Sequence, residues 1–298
     1  SRPQRKKLLK DILRFFENEL YSVHKLNKIM NLINQQIEKN GYAIIKNCIS
    51  NQILSEIKKC INIKLIEKLK SLKKKTKKDI SSNYFELKRY LPQYNIQKII
   101  SEEIFKKNLI DKLFNQKKLI DNLIYLIGPD LSYHMDFEVA ISDKKNKKEE
   151  YYFVKKYHQE FWSGMGLESL MLWIPINLKN GMGTLEIIKS SHEWGHIPHQ
   201  NREPLKLKKK FKSTNLKINN GSVALFTALT LHRTVKNNHK EIRIAIPITV
   251  RNFNYPNHGN SDLFNFKPMN TSFFTKMRKK LGNPHLTPFR TIPSEEIE

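Results

Sequence analysis

From Leu131 onward the chain changes its hydrophobic period, and that change limits its fold more than any other feature. Upstream, Leu8, Leu9, Ile12, Leu13, Phe15 and Phe16, then Leu26, Ile29, Met30, Leu32, Ile33 and Ile37 recur at helical spacing, predicting two helices over residues 4–38 with a break near Tyr21-Ser22. Tyr42 to Lys46 predicts one early strand. Ser50 is placed to cap a long helix from Asn51 to about Leu72, and residues 79–126 predict several shorter helices. Downstream of Gly128-Pro129-Asp130, the stretches Leu131–Ile141, Glu168–Asn177, Val223–Thr227 and Glu241–Ile248 predict strands. Asn180-Gly181 and Asn219-Asn220-Gly221 mark turns between them. Ser142–Glu150 reads as a charged hairpin tip, Asn201–Asn220 as an exposed lysine-rich insertion, and Ser272–Leu281 as a short basic helix before a tail containing Pro284, Pro288 and Pro293. The expectation is an α+β chain with a mainly β core, one domain over residues 1–298. Residues 1–126 form its helical part, 127–252 its β core and 253–298 a C-terminal extension.

Chemistry concentrates in Tyr157-His158-Gln159-Glu160-Phe161-Trp162 and in Leu231-His232-Arg233-Thr234. If the first stretch is extended, side chains alternate, so His158 and Glu160 share a face and Gln159 takes the other. An imidazole and a carboxylate can then grip one ion, with His232 as a third ligand. Two His and one carboxylate with open positions is the ligand set associated with non-haem Fe(II) oxygenases. Eleven residues past His232, Arg243 interrupts an apolar strand. Arginine is rarely buried without a partner, and its planar fork suits a carboxylate. His134 and Asp136 form a rival first pair. His192, His196 and His199 suggest zinc, but Trp194-Gly195 and Pro198 break any regular helix there, and no acidic base is placed as in a His-Glu-x-x-His site.

The run His158-Gln159-Glu160, followed by Leu172-Trp173-Ile174-Pro175, then Asn180-Gly181 leading to Lys189-Ser190-Ser191-His192, then His232, Thr234 and Arg243, resembles the phytanoyl-CoA dioxygenase-like family of Fe(II)/2-oxoglutarate oxygenases. The resemblance begins at Asn40-Gly41-Tyr42 and spans about residues 40–252. It departs from the family where Asp becomes Glu160 and where the Pro-Gly of the turn becomes Lys189-Ser190. It implies a double-stranded β-helix, or jelly roll, flanked by N-terminal helices. It also implies Fe(II) held by His158, Glu160 and His232, with 2-oxoglutarate and O2 as co-substrates. Arg243 and Thr234 would receive the 2-oxoglutarate carboxylate, and Gln159 and Trp173 would line its site. The implied reaction is hydroxylation of a small metabolite with release of succinate and CO2.

The net charge of +26 admits two readings. A polyanion partner is one; codon bias is the other, since only 10 of the 54 basic residues are Arg and Lys is scattered through every segment. Nucleic-acid readers favour arginine forks interleaved with aromatics, so nucleic acid is not the expected partner, although the charge favours an anionic substrate. The two cysteines, Cys48 and Cys60, offer no disulfide framework, which suits the cytoplasm. No apolar run approaches the roughly 18–20 residues of a membrane span. Two alternatives stay open: a polyanion-binding protein with a vestigial metal site, and a cupin-like metalloenzyme that does not use 2-oxoglutarate.

Overall fold

The structure, a computed structural model, describes residues 31–144, 156–207, 210–254 and 265–280. The first expected helix, most of the hairpin tip at 142–150 and the proline-bearing tail lie outside the described residues. A helix through residues 31–40, α1, buries Ile33 and Ile37 and leads into strand β1 (Tyr42–Ile45). Then comes α2 (Asn51–Ser71), whose Ser50 hydroxyl accepts from Ile53 N–H as an N-cap. Its Ile53, Leu54, Ile57, Ile61, Leu65 and Leu69 fall on one helical stripe, all buried. Helices α3 (Ile80–Leu87), α4 (Gln93–Lys106), α5 (Leu109–Phe114) and α6 (Lys117–Ile127) complete the helical layer.

The strands that follow are β2 (Leu131–His134), β3 (Ala140–Ser142), β4 (Leu170–Pro175), β5 (Leu185–Ile188), β6 (His199–Gln200), β7 (Glu203–Pro204), β8 (Ser213–Asn215), β9 (Val223–Thr227), β10 (His232–Thr234), β11 (Arg243–Asn252) and β12 (Phe266–Asn270), before the short basic helix α7 (Phe273–Lys280). A seven-stranded antiparallel sheet runs β1-β9-β4-β11-β2-β12 with β3 also on β11, and a smaller sheet runs β10-β5-β8. β6 and β7 form a separate hairpin.

Strand β4 is buried along its whole length because both faces of the large sheet are covered. Its even-numbered residues Leu170, Leu172 and Ile174, with Ile244, Ile246 and Ile248 of β11, pack into the core that includes the helices. The odd-numbered Met171 and Trp173, with Ala245 of β11 and Phe226 of β9, face Leu185 and Ile187 of the small sheet. The site described next opens into this inter-sheet space. One expectation changes here: the lysine-rich segment 201–220 is not purely an exposed insertion, because β8 pairs antiparallel with β5, Thr214 opposite Ile187. Serine and asparagine at its ends carry no hydrophobic signal, so the strand is formed by its partner and not by its own propensity.

Candidate metal centre

His232 opens β10, where period-two alternation turns His232 and Thr234 inward and Arg233 outward. The outward Arg233 is fixed by Glu186 of β5, its Nε 2.6 Å from the carboxylate. His158 reaches β10 through a single antiparallel bridge: its N–H donates to the His232 carbonyl at 3.0 Å and the reciprocal bond is 3.2 Å. The two rings are therefore brought together by backbone, with centroids 4.3 Å apart.

The extended reading of Tyr157–Trp162 needs correction. Only His158 sits in a bridge, and Glu160 begins a 3-10 turn, Glu160–Ser163, stopped by Gly164 in the left-handed region at φ 87°. The turn, and not strand alternation, swings the Glu160 carboxylate between the imidazoles. Its Oε1 lies 3.5 Å from His158 Nε2 and 3.3 Å from His232 Nε2.

Each imidazole is oriented in the same way. His158 Nδ1 lies 3.0 Å from the Lys156 carbonyl and His232 Nδ1 3.0 Å from the Thr230 carbonyl, each two residues upstream in its own chain segment. A carbonyl can only accept, so each Nδ1 carries a proton, and each Nε2, turned towards Glu160, is the atom whose lone pair becomes available to a metal once it is deprotonated. These are the donor atoms a divalent metal takes from a two-His, one-carboxylate site, and they fit one. Among the described residues, this is the one His/Cys/Asp/Glu group whose ligand atoms gather within 4.8 Å of one another.

Electrostatics agree. Burial works against the Glu160 charge, but hydrogen bonds and charge from both imidazoles outweigh it and hold the carboxyl well below the usual carboxylate range. Burial likewise opposes an imidazolium at His158, yet Glu160 raises its pKa, whereas burial and the neighbouring His158 lower that of His232. One carboxylate sustains one imidazolium, not two.

Of the other expected site residues, Trp173 and Thr234 line the same cavity as the triad. Arg243 is buried at the start of β11, on the face it shares with Ala245, Pro247 and Thr249. Its Cζ lies 5.7 Å from the Trp173 ring centroid, and its Nη1 is 3.3–3.4 Å from the carbonyls of Gly183, Thr184 and Val235. Gly183 is required here: at φ 70° a Cβ would fall 2.6 Å from the Lys236 carbonyl. Gln159 is not brought to the cavity. Fully buried, it donates to the carbonyls of Gly195 (2.9 Å) and Leu229 (2.7 Å) and accepts from Ile197 N–H (3.1 Å), fastening the turn to two loops. Those three bonds hold the Gln159 amide in the interior behind the turn and away from the cavity lining.

Lys189-Ser190, which replaces Pro-Gly in the resemblance, keeps the turn. Ser190 takes φ 57°, and its hydroxyl and N–H donate to the carbonyls of Lys39 (2.6 Å) and Asn40 (3.0 Å). His192, His196 and His199 do not gather as ligands: His192 Nε2 lies 2.8 Å from the Glu38 carbonyl, while His196 packs on Phe161, His199 stacks on Trp162, and these two rings meet edge to face at 6.2 Å. His134 and Asp136 line the triad's cavity without joining it. Arg202 also lines that cavity and was hidden in sequence, because it sits in the lysine-rich segment. Its only local signal is an Asn201-Arg202 pair between two short extended stretches, and both residues take positive φ in the β6–β7 turn.

No protein-family profile matches the sequence, and no curated protein matches it. Solved structures do. The non-haem monooxygenase ThoJ superposes with a TM-score of 0.56 at 13% identity, over 89% of this chain and 90% of that one. The epimerase SnoN, in complex with Fe3+, α-ketoglutarate and nogalamycin RO, gives 0.53 at 12% identity over 80% and 89%. EctD from S. alaskensis with bound Fe gives 0.51 at 14% over 77% and 78%. The chain shares the fold of these solved non-haem enzymes. At such identities the likeness is one of fold, and the site must be argued from its own atoms.

Proposed function

We propose that the chain is an Fe(II)- and 2-oxoglutarate-dependent oxygenase of the phytanoyl-CoA dioxygenase type, a single domain whose two sheets form a double-stranded β-helix. The observation that carries the reading is the convergence of two Nε2 atoms and one carboxylate, each imidazole locked by a carbonyl behind it. His158, Glu160 and His232 would hold the metal. Bound iron with 2-oxoglutarate supplies oxidative chemistry in which 2-oxoglutarate, O2 and a substrate C–H give succinate, CO2 and the hydroxylated product.

The chain's own part is positional. Arg243, buried beside Trp173, is the cation for the distal carboxylate of the co-substrate, a charge-assisted fork, with the Thr234 hydroxyl donating beside it. Met171, Phe226 and Leu185 wall the inter-sheet space against water, which strengthens each of these polar contacts. Both cysteines are free, as suits a reducing cytoplasm. Among the described residues no helix is long and apolar enough to cross a membrane. The test is succinate release from 2-oxoglutarate in air with Fe(II) across a metabolite panel. Turnover in the wild type, lost in Glu160→Ala and in His232→Ala, supports the reading; succinate release that survives both variants, or none with any member, refutes it.

A further inference from the structure

The cavity beside the triad measures about 520 Å3, and the wall opposite in character to the ligands is built by the segment joining β2 to β3. Residues 135–139 join the two strands without regular structure, after a bend at Met135. Val139 is buried in the core and Phe137 is buried there while also reaching the cavity, which His134, Asp136, Glu138 and Ala140 line, Asp136 and Glu138 as exposed side chains. This is no loose loop. Helix α4 supplies hydrogen bonds of the kind a neighbouring strand would give: Gln97 donates to the Val139 carbonyl (2.7 Å), Val139 N–H donates to the Ser101 hydroxyl (2.9 Å), and Gln93 donates to the Ile141 carbonyl (2.8 Å). An acidic edge is thereby held in fixed position on the large-sheet side, away from the iron ligands that the small sheet carries.

Its charge runs against that of the chain. Basic residues outnumber acidic ones 54 to 28, yet among the described residues the cavity is lined by Asp136, Glu138 and Glu160, with Arg202 as the basic residue and no lysine. On the proposed function, the divalent metal and Arg243 balance Glu160 and the two carboxylates of 2-oxoglutarate. Asp136, Glu138 and Arg202 then leave one negative charge in excess among the described lining residues. Trp173, Phe226 and Phe137 add aromatic surface, which attracts cations.

We propose that the substrate is a small protonated amine, its nitrogen held by Asp136 and Glu138 so that a neighbouring carbon is presented to the metal. The inference rests on the oxygenase reading and deepens it: the site is the cavity onto which the triad opens, and the acidic edge selects what enters. Partial burial also pushes the Glu138 carboxyl up from its ordinary range, a cost that a bound cation relieves.

The test uses short aliphatic and aromatic monoamines and diamines, each paired with its N-acetyl amide and with the carboxylate of equal length. Binding is followed by ligand-observed NMR and calorimetry on the protein as purified and after anaerobic loading with Fe(II), and succinate release is followed separately. Amines are expected to bind and stimulate turnover at least about tenfold better than their amides or acids. Asp136→Asn and Glu138→Gln should each weaken amine binding by about tenfold while the Fe(II)–2-oxoglutarate absorbance is unchanged, and Glu138→Lys should shift preference towards the carboxylates. Amides or acids binding as well as amines, or amine binding indifferent to both neutral variants, overturns the proposal. Absence of binding by every amine while the iron–2-oxoglutarate absorbance forms overturns it too, and leaves the oxygenase reading intact. Amine binding that depends on Asp136 and Glu138, in a protein that shows no such absorbance, keeps this inference and removes the oxygenase reading.

Discussion

His158 and His232 each bond through Nδ1 to a carbonyl two residues upstream, so the tautomer of both rings is written into backbone geometry and not into a mutable side chain. Glu160 is the most delicate of the three proposed ligands. Its carboxylate reaches both Nε2 atoms from the first residue of a 3-10 turn, a reach that uses the extra methylene. Glu160→Asp, although it restores the residue seen in the resembling family, is therefore expected to weaken Fe(II) or Mn(II) binding by about tenfold in a calorimetric titration, on the scale of displaced metal-site geometry. Glu138 gives a prediction with a definite pH sign. Because its folded-state pKa is raised, its ionised form costs stability wherever both states are ionised, and the cost disappears as pH falls below the carboxylate range. With His134, Asp136, Arg202 and the triad His158, Glu160 and His232 as the described titratable and charged groups sharing its cavity, Glu138→Gln should melt higher than wild type at neutral pH. The gap should close on acidification; a gap that widens instead contradicts the assignment.

At the scale of elements, β11 was readable residue by residue. Alternation in Arg243–Asn252 sends isoleucines to the helices and Arg243, Ala245, Pro247 and Thr249 to the inter-sheet space. Helix α2 and its Ser50 cap, strands β1 and β4, and helix α7 were legible for the same reason, since each has a clean period or a capping residue. The Glu160–Ser163 turn was not. His-Gln-Glu fits a strand equally well, and what selects the turn is distant: Phe161 N–H donates to the Ala228 carbonyl (3.0 Å), and Gln159 spans Gly195, Ile197 and Leu229. The triad residues themselves came from motif order, while the roles of Asp136, Glu138 and Arg202 needed three-dimensional placement. Gln159→Ala leaves buried backbone groups unpaired, so it should cost about 2–3 kcal/mol in denaturant unfolding and also weaken metal binding. Ile57→Ala, in the fully buried stripe of α2, should cost a similar or larger 2–5 kcal/mol with metal affinity unchanged. Equal metal affinity in the two variants would mean that Gln159 does not position the turn.

For the molecule as a whole, surface and cavity carry opposite instructions. A net charge of +26 repels a cationic substrate at long range, and salt screens that repulsion more than it screens the short-range contact with Asp136 and Glu138 on the cavity wall. KM for an amine should hence stay flat or fall as salt rises to about 0.15 M, the range where the Debye length shrinks towards 8 Å. A steep rise would instead mark an anionic substrate drawn in by the surface. Metal loading should stabilise the whole fold, by about 2.7 kcal/mol at a hundredfold excess over Kd, because the ligands come together only in the folded chain. All of this depends on one metal and one co-substrate meeting between the sheets. The direct measurement is anaerobic titration of the Fe(II)-loaded protein with 2-oxoglutarate, followed by visible absorbance. The account predicts a weak charge-transfer band that saturates in the wild type, is absent in His232→Ala, and needs at least about thirtyfold more 2-oxoglutarate in Arg243→Ala, as expected when a buried charge loses its partner. Iron that binds with no band on adding 2-oxoglutarate, or a band indifferent to both variants, would contradict it.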